Sequence, residues 1–191
     1  MRKVVVRLQS ASPISFRRNY DREVPRKEKE SHADYEERTW RNGLHVNDKD
    51  EVVIPACALK NCLADAAKYL GIQIPGKGKA TYTKHFEAGV MVVDDICLGV
   101  QRNDVKGQWL FISADGKRGS GKRVWKCFGV IREWQADATC YILDDTITKD
   151  VFLQHLEQAG KFIGMGVYRP RMNGTQGRFG VVKVLEYSEV K

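Results

Sequence analysis

Residues 160–184, GKFIGMGVYRPRMNGTQGRFGVVKV, set Gly160, Gly164, Gly166, Gly174, Gly177 and Gly180 among Lys161, Arg169, Arg171 and Arg178, with no Asp or Glu between Gly160 and Glu186. A helical pattern leads into the stretch and a β-branched run leaves it, so the chain has to turn sharply here. Glycine admits positive φ and lets another backbone or a ligand come close, while arginine offers a planar donor fork suited to phosphate. Two readings follow. Either the glycines mark turns, bulges and tight packing, or the segment lays backbone and cations along a polyanion.

Around this turn the hydrophobic pattern switches between two periods. Residues 3–8 (KVVVRL) read as a strand that Pro13 ends or kinks. Residues 58–70 (ALKNCLADAAKYL) carry Leu59, Cys62, Leu63, Ala66 and Leu70 at helical spacing, with Gly71 as the stop. A second helix starts at Thr148, carries Val151, Phe152, His155, Leu156 and Ala159, and ends at Gly160. Residues 52–55, 90–100, 107–113, 124–134, 138–143 and 177–187 supply strands, with a break at Asp94 and Asp95. A strand at each end and two helices separated by sheet material predict an α+β, ferredoxin-like β-α-β-β-α-β core. That core is assigned to residues 1–71 and 124–191, with a long loop at 16–51. Residues 72–123 are read as a large basic insertion that projects from it.

The early part of that loop is the most polar segment of the chain: Arg17, Arg18, Arg22, Arg26, Lys27 and Lys29 dominate its first half and Asp34, Glu36 and Glu37 its second. With few apolar residues to offset ordering entropy, it is expected to be mobile apart from a short helix over 33–40. Its aromatics Phe16, Tyr20, Tyr35 and Trp40 either stack on bases beside the arginines or anchor the loop to the body or to a neighbouring subunit. Further on, ADGKRGSGKR carries Lys117, Arg118, Lys122 and Arg123. It departs from the GxxxxGK[ST] pattern, so it predicts a basic tip that grips a nucleic-acid backbone rather than a site of nucleotide hydrolysis.

A formal net charge of +8 over 191 residues favours an anionic partner, with nucleic acid ahead of a membrane surface or an acidic protein. The opening residues lack a secretory pattern and no apolar run approaches about 18 residues, so a cytoplasmic location and no membrane partner are expected. Cys57, Cys62, Cys97, Cys127 and Cys140 form no CxxC pair, and His32, His45, His85 and His155 form no HExxH. Neither a metal site nor a cofactor is expected. Asp94 and Asp95 are adjacent, yet consecutive strand residues point to opposite faces, so a shared metal would need a bend there.

Three stretches resemble the Cas7 branch of the RAMP superfamily, the repeated backbone subunits of CRISPR effector complexes. VVIPACALKNCLADAA is similar to the family's strand-to-helix entry, with Pro55, Leu59 and Lys60 in matching positions and Ala56 and Asn61 departing from it. IGMGVYRPRMNGTQGRF is similar to its glycine-rich loop, with Gly174, Gly177 and Arg178 at the matching end, and VVVRLQSASPIS is similar to its first strand. The resemblance implies a modified RNA-recognition (RAMP) core and a subunit that binds guide RNA in a helical stack of copies, beside other effector subunits. It also implies phosphate contacts from Lys60, Arg169, Arg171 and Arg178, and a thumb formed by the excursion with Lys117, Arg118, Lys122 and Arg123.

The expected function is non-catalytic binding of single-stranded nucleic acid, RNA or single-stranded DNA, by an oligomerising subunit. Arg17, Arg18 and Lys161 join the cations already named, and Trp40, Tyr168 and Phe179 are the residues proposed to stack on bases. Two alternatives stay open. In some relatives an acidic residue in the loop after the first strand cuts RNA with a metal, for which Asp34 and Asp21 are the matching candidates; the other alternative is a structural subunit that binds an acidic protein.

Overall fold

Val4, Val6 and Leu8 alternate along β1 (Arg2–Ser10) and are fully buried, so the first strand turns one face to the core and one outward. In the computed structural model, which describes residues 1–114 and 121–190, β1 is a central strand of a four-stranded sheet. It pairs antiparallel with β8 (Gln135–Ile142) on one side and β9 (Phe179–Glu189) on the other, and β4 (Val90–Met91) extends the sheet beyond β8. The spatial order is β4-β8-β1-β9. Helices α2 (Ala56–Leu70) and α4 (Lys149–Gln158) pack on its buried face, completing a β-α-β-β-α-β core of mixed α+β character that resembles the ferredoxin-like fold.

The α2 helix forms because Leu59, Cys62, Leu63, Ala66 and Ala67 make one buried stripe. Gly71 stops it in the left-handed conformation (φ 58°), its N–H returning to the Ala67 carbonyl. At the other end Pro55 has no side chain to offer. Asp95, on the strand-to-strand bend, accepts the Ala56 N–H at 2.8 Å instead. The carboxylate pair at 94–95 thus contains a helix cap.

Thr148 caps α4 as its type predicts, accepting from the Val151 N–H. Gly160, however, does not end the helical path. A π-helical turn (Ala159–Ile163) continues it, and the left-handed stop falls at Gly164. A side chain at Gly160 would collide with the Phe179 carbonyl, so its glycine serves close packing of helix on strand.

Residues 72–123 do not behave as one projecting excursion. Their first half supplies α3 (Thr83–Gly89), whose fully buried Phe86 stacks between Phe152 and His155 of α4. It also supplies the edge strand β4 and β5 (Ile96–Gln101), which pairs with β3 (Glu51–Ile54). Only the hairpin of β6 (Lys106–Ser113) and β7 (Arg123–Ile131) extends away, forming a second sheet with β2 (Ile14–Phe16) in the order β2-β7-β6. The apolar residues of 72–101 lack a clear period, and tertiary burial rather than local pattern holds them in place.

Candidate nucleic-acid interface

The glycine-rich loop is fastened to the corner between β1 and β2. The Gly177 N–H donates to the Pro13 carbonyl at 2.7 Å, the Val167 N–H to the Ser15 carbonyl at 2.9 Å, and the Met165 N–H to the Gly177 carbonyl at 2.9 Å. Gly177 is left-handed (φ 79°), and a Cβ there would collide with the Met165 carbonyl; one at Gly174 would collide with the Tyr168 carbonyl. Both glycines therefore let chain pack on chain, and the loop becomes a fixed wall.

That wall faces the first turns of α2 across a cleft of about 340 Å³. Phe16, Cys62, Ile163 and Met165 give it a buried apolar floor, while Arg17, Asn61, Asp65 and Arg169 supply polar groups. The loop cations bond carbonyls rather than carboxylates. Arg169 Nη1 donates to the Gly166 carbonyl at 2.9 Å and Arg178 Nε to the Lys161 carbonyl at 3.1 Å. Lys161 and Arg171 are exposed, the former with its ammonium 5.2 Å from the Phe162 ring centre. Their positive charge is uncompensated within the loop.

Other cations named from the sequence are engaged elsewhere. Arg17 reaches Glu36, which is fully buried and also accepts the Cys127 N–H at 2.8 Å and the Lys126 ammonium at 3.0 Å. This group closes the edge of β7 beyond the short β2, and it fixes α1 (His32–Thr39) against the hairpin. Burial pushes the Glu36 carboxyl up, but the Arg17 and Cys127 hydrogen bonds and the nearby charges outweigh it and hold it below the usual carboxylate range. Arg18 makes two bonds of 2.7 Å to Glu23 and a third to the Asn42 carbonyl. Lys60 donates to the carbonyls of Phe86 and Glu87 at 2.7 and 2.9 Å, and burial lowers its pKa. These three cations serve internal bonds in this conformation, a departure from the phosphate contacts expected of them.

The aromatics expected to stack on bases are not the ones at the surface. Trp40 and Phe179 are buried in the core, and Tyr168 lies half-buried, edge-on to Phe128 at 5.2 Å. Tyr69 and Phe162 are exposed, and so are three hairpin aromatics, Trp109, Phe111 and Trp125, at 41%, 50% and 51% exposure. They share one face of the β6–β7 hairpin, because Phe111 is paired with Trp125 and Trp109 with Cys127 in register. The rings of Phe111 and Trp125 stand 5.2 Å apart. Period-2 alternation in WLF and VWKC carried that signal in the sequence, beside exposed Lys122 and Arg123. Lys117 and Arg118 lie outside the described residues. Hairpin and loop are joined at the base on the face opposite these rings, where Gln176 Nε2 donates to Gln108 Oε1 at 3.2 Å and Phe128 meets Tyr168.

The acidic candidates have structural tasks. Asp34 accepts from the Ser31 hydroxyl at 2.6 Å in the first turn of α1, and Asp21 accepts from the Tyr35 hydroxyl at 3.3 Å. Among the described residues no group of three or more His, Cys, Asp or Glu side chains is placed to hold a metal ion, and no helix is long and apolar enough to cross a membrane.

No family model and no curated protein matches this sequence. Solved structures do match its fold. A chain of a Type III-B Cmr-beta complex bound to cognate target RNA superposes with a TM-score of 0.60 at 11% identity, over 97% of this chain and 60% of that one. Cmr6 from Pyrococcus furiosus superposes with a TM-score of 0.50 at 11% identity, over 94% of this chain and 97% of the other. The chain thus spans about 60% of the length of the first of these structures. Its fold is similar to that of these Cmr proteins.

Proposed function

We propose that this chain binds single-stranded RNA without cutting it, as one of several copies or companion subunits ranged along the strand. The observation that carries this reading is the set of cations left without carboxylate partners on the fixed loop beside the hairpin. Lys161, Arg169 and Arg171 lie on a fixed wall without acidic partners, and that wall abuts one face of a hairpin that bears the cations Lys122 and Arg123 and, on its other face, three exposed aromatic rings. Cations along a rigid backbone give sequence-independent affinity for phosphates, and exposed rings accept unpaired bases. The likeness to a Cmr-beta chain in a complex bound to target RNA supports the choice of RNA.

Fluorescence anisotropy with unstructured RNA and single-stranded DNA tests it. Binding tighter than about 10 μM at low salt is expected, weakening as salt rises. Failure of both strands to bind at that level rejects the proposal. Light scattering with and without the oligonucleotide then reports whether copies assemble along it.

A further inference from the structure

The cleft beneath the loop has a wall that phosphate binding leaves unused. Asn61 and Asp65 stand about one turn apart on α2 and both line it, and a carboxylate in a cavity repels phosphate. None of the ion pairs among the described residues engages Asp65. Burial pushes the Cys62 thiol on the floor up to about 12; the Asp65 carboxylate adds to that rise and the Arg169 guanidinium opposes it, so anion and cation both act on the same buried spot. At about 340 Å³ the cleft lies near the lower end of pockets that hold small organic ligands, roughly 300–1,000 Å³, which suits one nucleoside and not a stacked run.

An apolar floor with a hydrogen-bonding wall receives the flat ring and edge of a base. A carboxylate only accepts hydrogen bonds, whereas an Asn amide both donates and accepts. Guanine alone among the RNA bases presents two adjacent N–H donors on its Watson–Crick edge, N1–H and the 2-amino group, with the acceptor O6 beside them. Adenine and cytosine set one amino group next to an acceptor nitrogen, which a carboxylate repels, and uracil sets one N–H between two carbonyls. Splayed bases read on that edge are the usual route to sequence preference in single-stranded RNA.

We infer that the cleft takes one splayed guanine of the bound strand, with Asp65 accepting from N1–H and the 2-amino group and Asn61 donating to O6. The inference rests on the strand-binding reading above and adds base selectivity to it. The phosphates flanking that guanine follow the rim past Arg169 and Arg171.

The test titrates fluorescein-labelled uridine oligomers, each with one central guanosine, inosine, adenosine or cytidine, against the full chain and its Asp65→Asn variant. The guanosine strand is expected to bind about ten-fold more tightly than the all-uridine strand. Inosine, which keeps N1–H and O6 but lacks the 2-amino group, should lose most of that advantage. Asp65→Asn should bind the all-uridine strand no more weakly than the wild type, since a charge that repels phosphate is gone, and lose the guanosine preference. Equal binding of all strands by the wild type overturns the guanine assignment while leaving strand binding intact. A guanosine preference that persists in Asp65→Asn overturns its placement in this cleft. If no strand binds, both readings fall. Should Asp65→Asn melt well below the wild type, Asn61→Ala, at an exposed position, makes the same comparison through O6.

Discussion

Glu36 is a charged side chain whose removal the fold tolerates poorly. Its carboxylate is fully buried and serves Arg17, Lys126 and the Cys127 N–H together, so truncation strands two cations and a strand-edge donor. Removing one partner of a buried ion pair costs about 3–5 kcal/mol. Glu36→Ala should lose about that much in urea unfolding. Its pH dependence has a definite sign. The folded pKa lies below the ordinary 4.5, so the stabilisation is present in full above that value and is lost as pH falls through the folded pKa. The stability gap between wild type and Glu36→Gln should therefore be constant near neutrality and narrow below pH 4.5. A gap that stays constant in acid would show that the carboxylate's charge is not what stabilises. His155 acts in a different window: burial lowers its pKa from 6.5, against the raising effect of its bond to the Val151 carbonyl, so its contribution falls away as pH drops below that value.

At the scale of elements, Lys60 couples two helices. Its ammonium sits on the last carbonyls of α3, the negative end of that helix, while its own backbone belongs to α2. Lys60→Met leaves two carbonyls short of a donor and should cost about 1–3 kcal/mol in urea unfolding, while changing RNA affinity less than two-fold. A large loss of affinity with unchanged stability would return Lys60 to the phosphate path. The case shows what was legible. The strands at both ends, α2 with its Gly71 stop, Thr148 as a cap and the sharp turn after α4 follow from periodicity and capping chemistry, which are local. The partners of Lys60, Arg17 and Asp95 are non-local: they come from α3, α1 and the start of α2, and no spacing encodes them. Likewise, α3 escaped the pattern because Phe86 is held by Phe152 and His155 across the core. Trp109, Phe111 and Trp125 were readable in principle, since alternation on both arms of a hairpin puts them on one face; Trp40 and Phe179, equally aromatic, are core because of what covers them.

For the whole molecule, the net charge of +8 matters less than where it is left uncompensated. The open face of the main sheet is tiled by cross-strand pairs, Arg7 with Asp137 at 2.7 and 2.8 Å and Lys3 with Glu186 at 2.8 Å, so this face offers a strand little net field. The loop and the hairpin both carry cations without such partners, and they would hold a strand by different forces. Phosphate contacts from Arg169 and Arg171 release counterions, so each one lost should flatten the plot of log affinity against log salt by about 0.7 for a single strand. Stacking on Phe111 and Trp125 releases none; losing it should cost about 1–3 kcal/mol per base at every salt concentration and leave the slope unchanged. Anisotropy across a salt series on Arg169→Ala/Arg171→Ala and Phe111→Ala/Trp125→Ala separates the two. Parallel lines for the aromatic variant and a shallower line for the arginine variant are expected. If the aromatic variant binds like the wild type at all salt concentrations, the strand does not pass over the hairpin.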